Sequence, residues 1–97
     1  MTSDKQLVLF VCVHNSARSK MAEAIFNEEI RSKNINAIAK SAGINPSNEV
    51  HSFAKLVLQE IGIEINNKPI ALNDTMIEDA NIIINMGCCL LYTSDAA

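Results

Sequence analysis

The chain has 97 residues, 48% of them hydrophobic, with eight Lys+Arg against eleven Asp+Glu and a net charge of −3. That is enough apolar material for one small, thin-cored domain and too much for a disordered chain. The acidic balance argues against a nucleic-acid binder, which would carry a basic face, and the apolar run Leu7 to Val13 is too short to span a membrane.

Met1 to Lys5 is a polar lead-in. Leu7 to Cys12 runs six apolar residues without alternation, as in a parallel strand covered on both faces, and predicts a strand over Gln6–Cys12. Val13 to Ala17 is a loop. Met21, Ala22, Ile25, Phe26 and Ile30 then recur at helical spacing, which predicts a helix over Ser19–Lys33 with Arg31 and Lys33 complementing its dipole and Asn34 stopping it. Ile35–Ser41 reads as a second strand, and Ser41-Ala42-Gly43 as a turn. Asn45-Pro46-Ser47 opens a second helix, with proline in its first turn. Val50, Phe53, Ala54, Val57, Leu58 and Ile61 form one apolar, core-facing stripe on it. Gly62 followed by Ile63 fits a glycine stop, and His51 reads as a surface histidine on the polar face. Glu64–Leu72 is irregular, Asn73 or Asp74 caps a short helix to Asp79, and Ile82–Ile84 continue to Met86 as another buried strand, ended by Gly87.

Strand, helix, strand, helix, strand predicts an α/β fold: a flavodoxin-like three-layer sandwich whose parallel sheet has the order 2-1-3, helices lying on both faces. In that order the first and third strands are neighbours. Cys12 and Cys88 each follow the carboxyl end of one of them, the edge where open α/β sheets bind ligands.

The stretch CVHNSARS, Cys12 to Ser19, joins a strand end to a helix start. Backbone amides of Val13, His14, Asn15, Ser16 and Ala17, together with the helix dipole, can converge on an anion. The same field should lower the thiol pKa of Cys12. Arg18 adds a planar, permanently charged fork that suits a tetrahedral oxyanion. A lone cysteine at a strand end is commonly a small core residue, but an arginine six positions on, among Asn15, Ser16 and Ser19, favours a nucleophile. Asn15 tolerates left-handed backbone and can tie the loop to itself. Ser16 and Ser19 can donate hydroxyl hydrogen bonds or simply cap the helix. His14 reads as solvent-facing or loop-packing, since a thiolate needs no base. No metal-ligand set is expected. Three cysteines without a visible targeting segment point to a reducing cytoplasm, where cysteines are catalytic or redox-active.

CVHNSARSKMAEA resembles the C-x5-R-S loop of the low-molecular-weight protein tyrosine phosphatase superfamily, and within it most closely the arsenate reductases. The resemblance continues through Ser41 to Gly43, Glu60 to Ile63 and Met86 to Cys88, about residues 5–88 in all. It implies that Ser19 bonds a Cys12 thiolate and that the loop and Arg18 hold arsenate or phosphate. It further implies that Cys88 resolves the Cys12 adduct as a disulfide, which an external thioredoxin-like reductant reopens, with no bound cofactor. Cys88 can also be read as a buried strand-end residue. The family carries a fourth strand, a later Asp-Pro loop and a further cysteine. Residues 89–97 continue none of these, read as a translated sequencing adapter and are expected to be a non-native tail on a truncated domain over 1–88.

Three functions follow as expectations. Arsenate reduction through Cys12 and Cys88 leads. Phosphate monoester hydrolysis would use Cys12 and Arg18 identically but needs an acid for the leaving group. An inactive oxyanion-binding fragment is the third.

Overall fold

A computed structural model of the chain describes residues 5–65 and 67–86. The elements run β1 Gln6–Cys12, α1 Arg18–Lys33, β2 Ala37–Gly43, α2 Ser52–Glu60, α3 Asp74–Asp79 and β3 Ile82–Asn85. The three strands form a parallel sheet in the order β2-β1-β3, as the alternation of elements predicts. The register sets Cys12 beside Gly43 and Val11 beside Asn85.

Because side chains alternate across a strand, β1 feeds two separate apolar layers. Leu9 and Val11, both 0% exposed, pack with Ala42 against Leu72, Met76 and Ala80 around α3. Val8 and Phe10 pack with Ala39 against Ala22 of α1 and Met86, and the Phe10 and Phe26 rings meet edge to face with centroids 5.7 Å apart. Full burial of a residue such as Leu9 is worth roughly 1.5–3 kcal/mol, so an unalternating β1 is what a sheet clothed on both faces requires. Among the described residues no helix is long and apolar enough to cross a membrane.

Helix ends follow their residues. Asn34 adopts the left-handed conformation (φ 55°) and ends α1 with paired bonds from its own N–H to Arg31 and from Ile35 N–H to Ile30. Gly62 (φ 82°) and Ile63 end α2 with the same pair of bonds, to Gln59 and Leu58. The Asn73 side chain accepts from Met76 N–H and caps α3.

Five expectations need correction. β2 lies two residues later than the pattern suggests: Ile35 N–H is spent on the α1 stop, while Ser41, Ala42 and Gly43 continue the ladder instead of turning. α2 begins at Ser52 rather than near Asn45-Pro46-Ser47, because Asn45, Ser47 and His51 donate their N–H groups to the carbonyls of Val13, His14 and Ser16. His51 is exposed but is the α2 cap, its Nδ1 accepting from Phe53 N–H at 3.0 Å. The apolar stripe is only partly interior: Val50, Ala54 and Leu58 are buried, whereas Phe53 is 64% and Ile61 59% exposed. Likewise β3, expected to be buried, exposes Ile82, Ile83 and Ile84, since among the described residues it pairs only with β1. Cys88 and the 89–97 tail lie outside the described residues.

Gly43 is where β2 passes closest to the loop after β1. A Cβ there would lie 2.8 Å from the Val13 carbonyl oxygen and 2.9 Å from the Asn15 nitrogen. Gly43→Ala should therefore destabilise the chain by about 1–3 kcal/mol, the usual cost of overpacking, which a urea melt will register.

Candidate active site around Cys12

The loop between β1 and α1 is shaped by its carbonyls. Those of Cys12, Val13, His14 and Ser16 accept N–H groups from Ile44, Asn45, Ser47 and His51 at 2.7–3.3 Å. Pro46, which has no N–H, falls between two of the donors. In a trans peptide the N–H of the next residue points opposite to the carbonyl. Holding these four oxygens against the 44–51 segment therefore turns the amides of Val13, His14, Asn15 and Ala17 to the other side. One of them is seen arriving: Asn15 N–H donates to Cys12 Sγ at 3.2 Å. The start of α1 stands behind the same loop, with Ala17 as its cap and no side-chain cap bond, so its unpaired amides add to the positive field.

Asn15 is fully buried and left-handed (φ 52°). Its Oδ1 accepts Ile70 N–H at 2.8 Å, and since a backbone N–H can only donate, this fixes which way the amide faces. Nδ2 then donates to Ser19 Oγ at 2.7 Å. The Ser19 hydroxyl lies 2.9 Å from Cys12 Sγ, and toward a Cys12 thiolate, which has no proton to give, it is the donor. Burial by itself pushes the Cys12 thiol pKa up. The Ser19 hydroxyl, then the backbone amides of Ser19, Asn15 and His14, outweigh it and hold the pKa below its ordinary value. A thiolate that receives two or more donors and little water is the nucleophilic form of cysteine.

Of the residues singled out from sequence, Cys12, Asn15 and Ser19 form one bonded cluster, and Ser19 does not act as a plain cap. Ser16 and Ala17 contribute backbone. Val13 is half-buried, and Arg18 is exposed on the first turn of α1. His14 is exposed, its Nδ1 3.0 Å from the Asn45 carbonyl oxygen, so it packs along the loop. Three contributors have no chemical signature in the sequence: the donors of 44–51, the close approach at Gly43 and the Ile70 amide. Only Pro46, a residue that cannot donate, hints at them. Among the described residues no group of three His, Cys, Asp or Glu could hold a metal ion.

Ser19→Ala removes the strongest lowering contact, so the pH midpoint for alkylation of Cys12, followed on its own peptide by mass spectrometry, should move up; an unmoved midpoint would break the assignment. The linkage has a sign. A thiol with a depressed folded pKa adds stability that is complete above the unfolded value of about 8.5. That stability is lost as pH falls through the folded pKa. Urea midpoints should accordingly rise toward pH 9 in the native chain and lose that component in Cys12→Ser.

Comparison with known proteins places this geometry. The model of the family described as low molecular weight phosphotyrosine protein phosphatase matches residues 7–89. A protein-arginine-phosphatase of Bacillus subtilis (strain 168) is 31% identical over 81 residues, covering 81% of this chain and 54% of its own. The crystal structure of a low molecular weight protein tyrosine phosphatase from T. tengcongensis superposes with a TM-score of 0.79 at 35% identity, over 84% of this chain and 58% of that one. A thioredoxin-dependent arsenate reductase from Corynebacterium glutamicum superposes with a TM-score of 0.82, also at 35% identity, over 91% of this chain and 43% of that one. The chain thus spans about half the length of these relatives. With the family model covering most of its length, the chain belongs to the low molecular weight phosphotyrosine protein phosphatase family.

Proposed function

We propose that this chain carries the oxyanion-binding and nucleophilic part of an arsenate reductase. The Cys12 thiolate attacks arsenate held by the loop amides and the Arg18 guanidinium, displacing oxygen as water and forming a Cys12 S–As bond. Cys88 thiolate then attacks Cys12 Sγ. The S–S bond forms, the S–As pair stays with arsenic, and arsenite leaves reduced by two electrons. A thioredoxin-like dithiol returns the disulfide to two thiols by exchange. A reducing cytoplasm is the compartment this reading calls for.

The observation that carries it is the register at the sheet edge. Met86 N–H donates to the Val11 carbonyl at 2.7 Å, next to the strand end that bears Cys12. Position 88 is two residues further on, and two residues span at most about 7 Å, so a thiol there is within reach of Cys12. The Corynebacterium relative, a thioredoxin-dependent arsenate reductase, supports the same reading.

A second reading is favoured by the curated relative, a protein-arginine-phosphatase. Here the Cys12 thiolate would take the phosphoryl group from a phosphoarginine or a phosphomonoester, releasing the protonated guanidine or alcohol, and water would hydrolyse the phosphocysteine to phosphate and the free thiol. Cys88 would have no part in it.

Cys88→Ser separates the two. It should abolish thioredoxin-coupled arsenite production if the first reading holds, leaving one stalled adduct per chain. Release of phosphate from an aryl phosphate or a phosphoarginine peptide that survives Cys88→Ser, without any arsenate turnover in the native chain, decides for the phosphatase. Arg18→Lys tests the clamp common to both. A point charge replaces a bidentate fork, and oxyanion affinity should fall by roughly tenfold or more, one charged hydrogen bond being lost. Equal affinity in a phosphate titration would remove Arg18 from the site.

A further inference from the structure

The chain has two histidines, one on each side of the contact between the Cys12 loop and the 44–51 segment. Their ring bonds have opposite proton requirements. His14 Nδ1 lies 3.0 Å from the Asn45 carbonyl oxygen, which can only accept, so that nitrogen carries a proton. A second proton goes to Nε2 and leaves the bond intact. His51 Nδ1 accepts from Phe53 N–H at 3.0 Å, and a backbone N–H can only donate. That nitrogen is therefore bare, and the bond exists only while the imidazole is neutral. In the imidazolium both ring nitrogens are donors, and the α2 cap has no acceptor left. The new charge would also stand at the positive end of the α2 dipole.

The same residue holds the oxyanion loop. His51 N–H donates to the Ser16 carbonyl at 2.7 Å, the shortest of the four bonds that orient the loop. That carbonyl shares a peptide plane with the Ala17 N–H on the anion side. Cap and loop bond thus meet on one backbone unit, set at φ −59° and ψ 133°. The charged side chains on the segments joined here are Glu49, two residues before His51; Lys55, whose N–H donates to the His51 carbonyl at 3.2 Å; and Arg18 after the loop. His51 forms no ion pair among the described residues. We propose that the neutral His51 imidazole is a positioning group for the oxyanion loop, and that acid loosens the loop by taking away the α2 cap. This role rests on the anion-binding loop that both readings of the function share, and on neither reaction.

Sulfate is the probe, because its charge does not change between pH 8 and pH 5. It is titrated into the isotope-labelled native chain, His51→Asn and His51→Ala while backbone amide shifts are followed. The salt is about 0.15 M, where the screening length is about 8 Å. Asparagine caps a helix without a titrating group. Cys12 and His14 titrate in all three chains, so differences between the chains isolate His51. Native and His51→Asn should bind alike at pH 8. At pH 5 the native chain should be about fivefold weaker, the ratio to which loss of one helix cap corresponds. His51→Ala should be weaker than His51→Asn by a similar factor at both. In the native chain the Phe53 and Ala17 amides should move together with the His51 ring. Parallel pH profiles for native and His51→Asn overturn the proposal, as does His51→Ala binding equally well at pH 8. Tighter binding by the native chain than by His51→Asn at pH 5 also overturns it, since the imidazolium charge would then act directly on the anion. Absence of saturable sulfate binding in every chain at every pH overturns the oxyanion loop itself, and the role of His51 with it.

Discussion

The candidate site depends on where four carbonyl oxygens point. Those of Cys12, Val13, His14 and Ser16 are held by backbone donors from residues 44–51, and the planarity of the peptide unit converts this into an inward set of amides. No side chain of the loop could do the same. An amide aimed by its own backbone neighbour needs no reorganisation when an anion arrives, which is the condition for strong electrostatic stabilisation in a site that excludes water.

Asn15 carries this arrangement to the sulfur. It accepts the left-handed backbone that turns the loop, offers its own N–H to Cys12, and passes its side-chain amide between Ile70 and Ser19. An aspartate would accept from Ile70 but could not donate to Ser19, and would set a negative charge beside a thiolate. The bond from Ile70 also ties the loop to chain 55 residues away, so the state of Cys12 is linked to the folding of the middle of the molecule.

Much of this was legible in the sequence. The unalternating run Leu7 to Cys12, the helical spacing after Ser19, Asn34, Gly62 and Asn73 each located an element or an end, because each acts locally. The misplaced starts of β2 and α2 have one cause: Ile35, Asn45, Ser47 and His51 spend their N–H groups on partners that periodicity does not see. The exposure of Phe53 and Ile61 is a tertiary matter of which part of a stripe meets the sheet. In the site, the side chains of Cys12, Asn15 and Ser19 were readable from their chemistry and spacing. The backbone that orients them was not, since any residue except proline can donate an N–H.

The 44–51 segment has a consequence for how such a chain can diverge. It serves the loop through main-chain groups, so its side chains, the buried Val50 and the capping His51 apart, are free to drift, provided that no new proline falls on a donating position. Its length is not free. One residue gained or lost between Gly43 and Ser52 would put every donor downstream of the change out of step with its carbonyl. Descendants should therefore differ widely in the letters of this segment while keeping their count, and alignments that place gaps there would be describing a different loop.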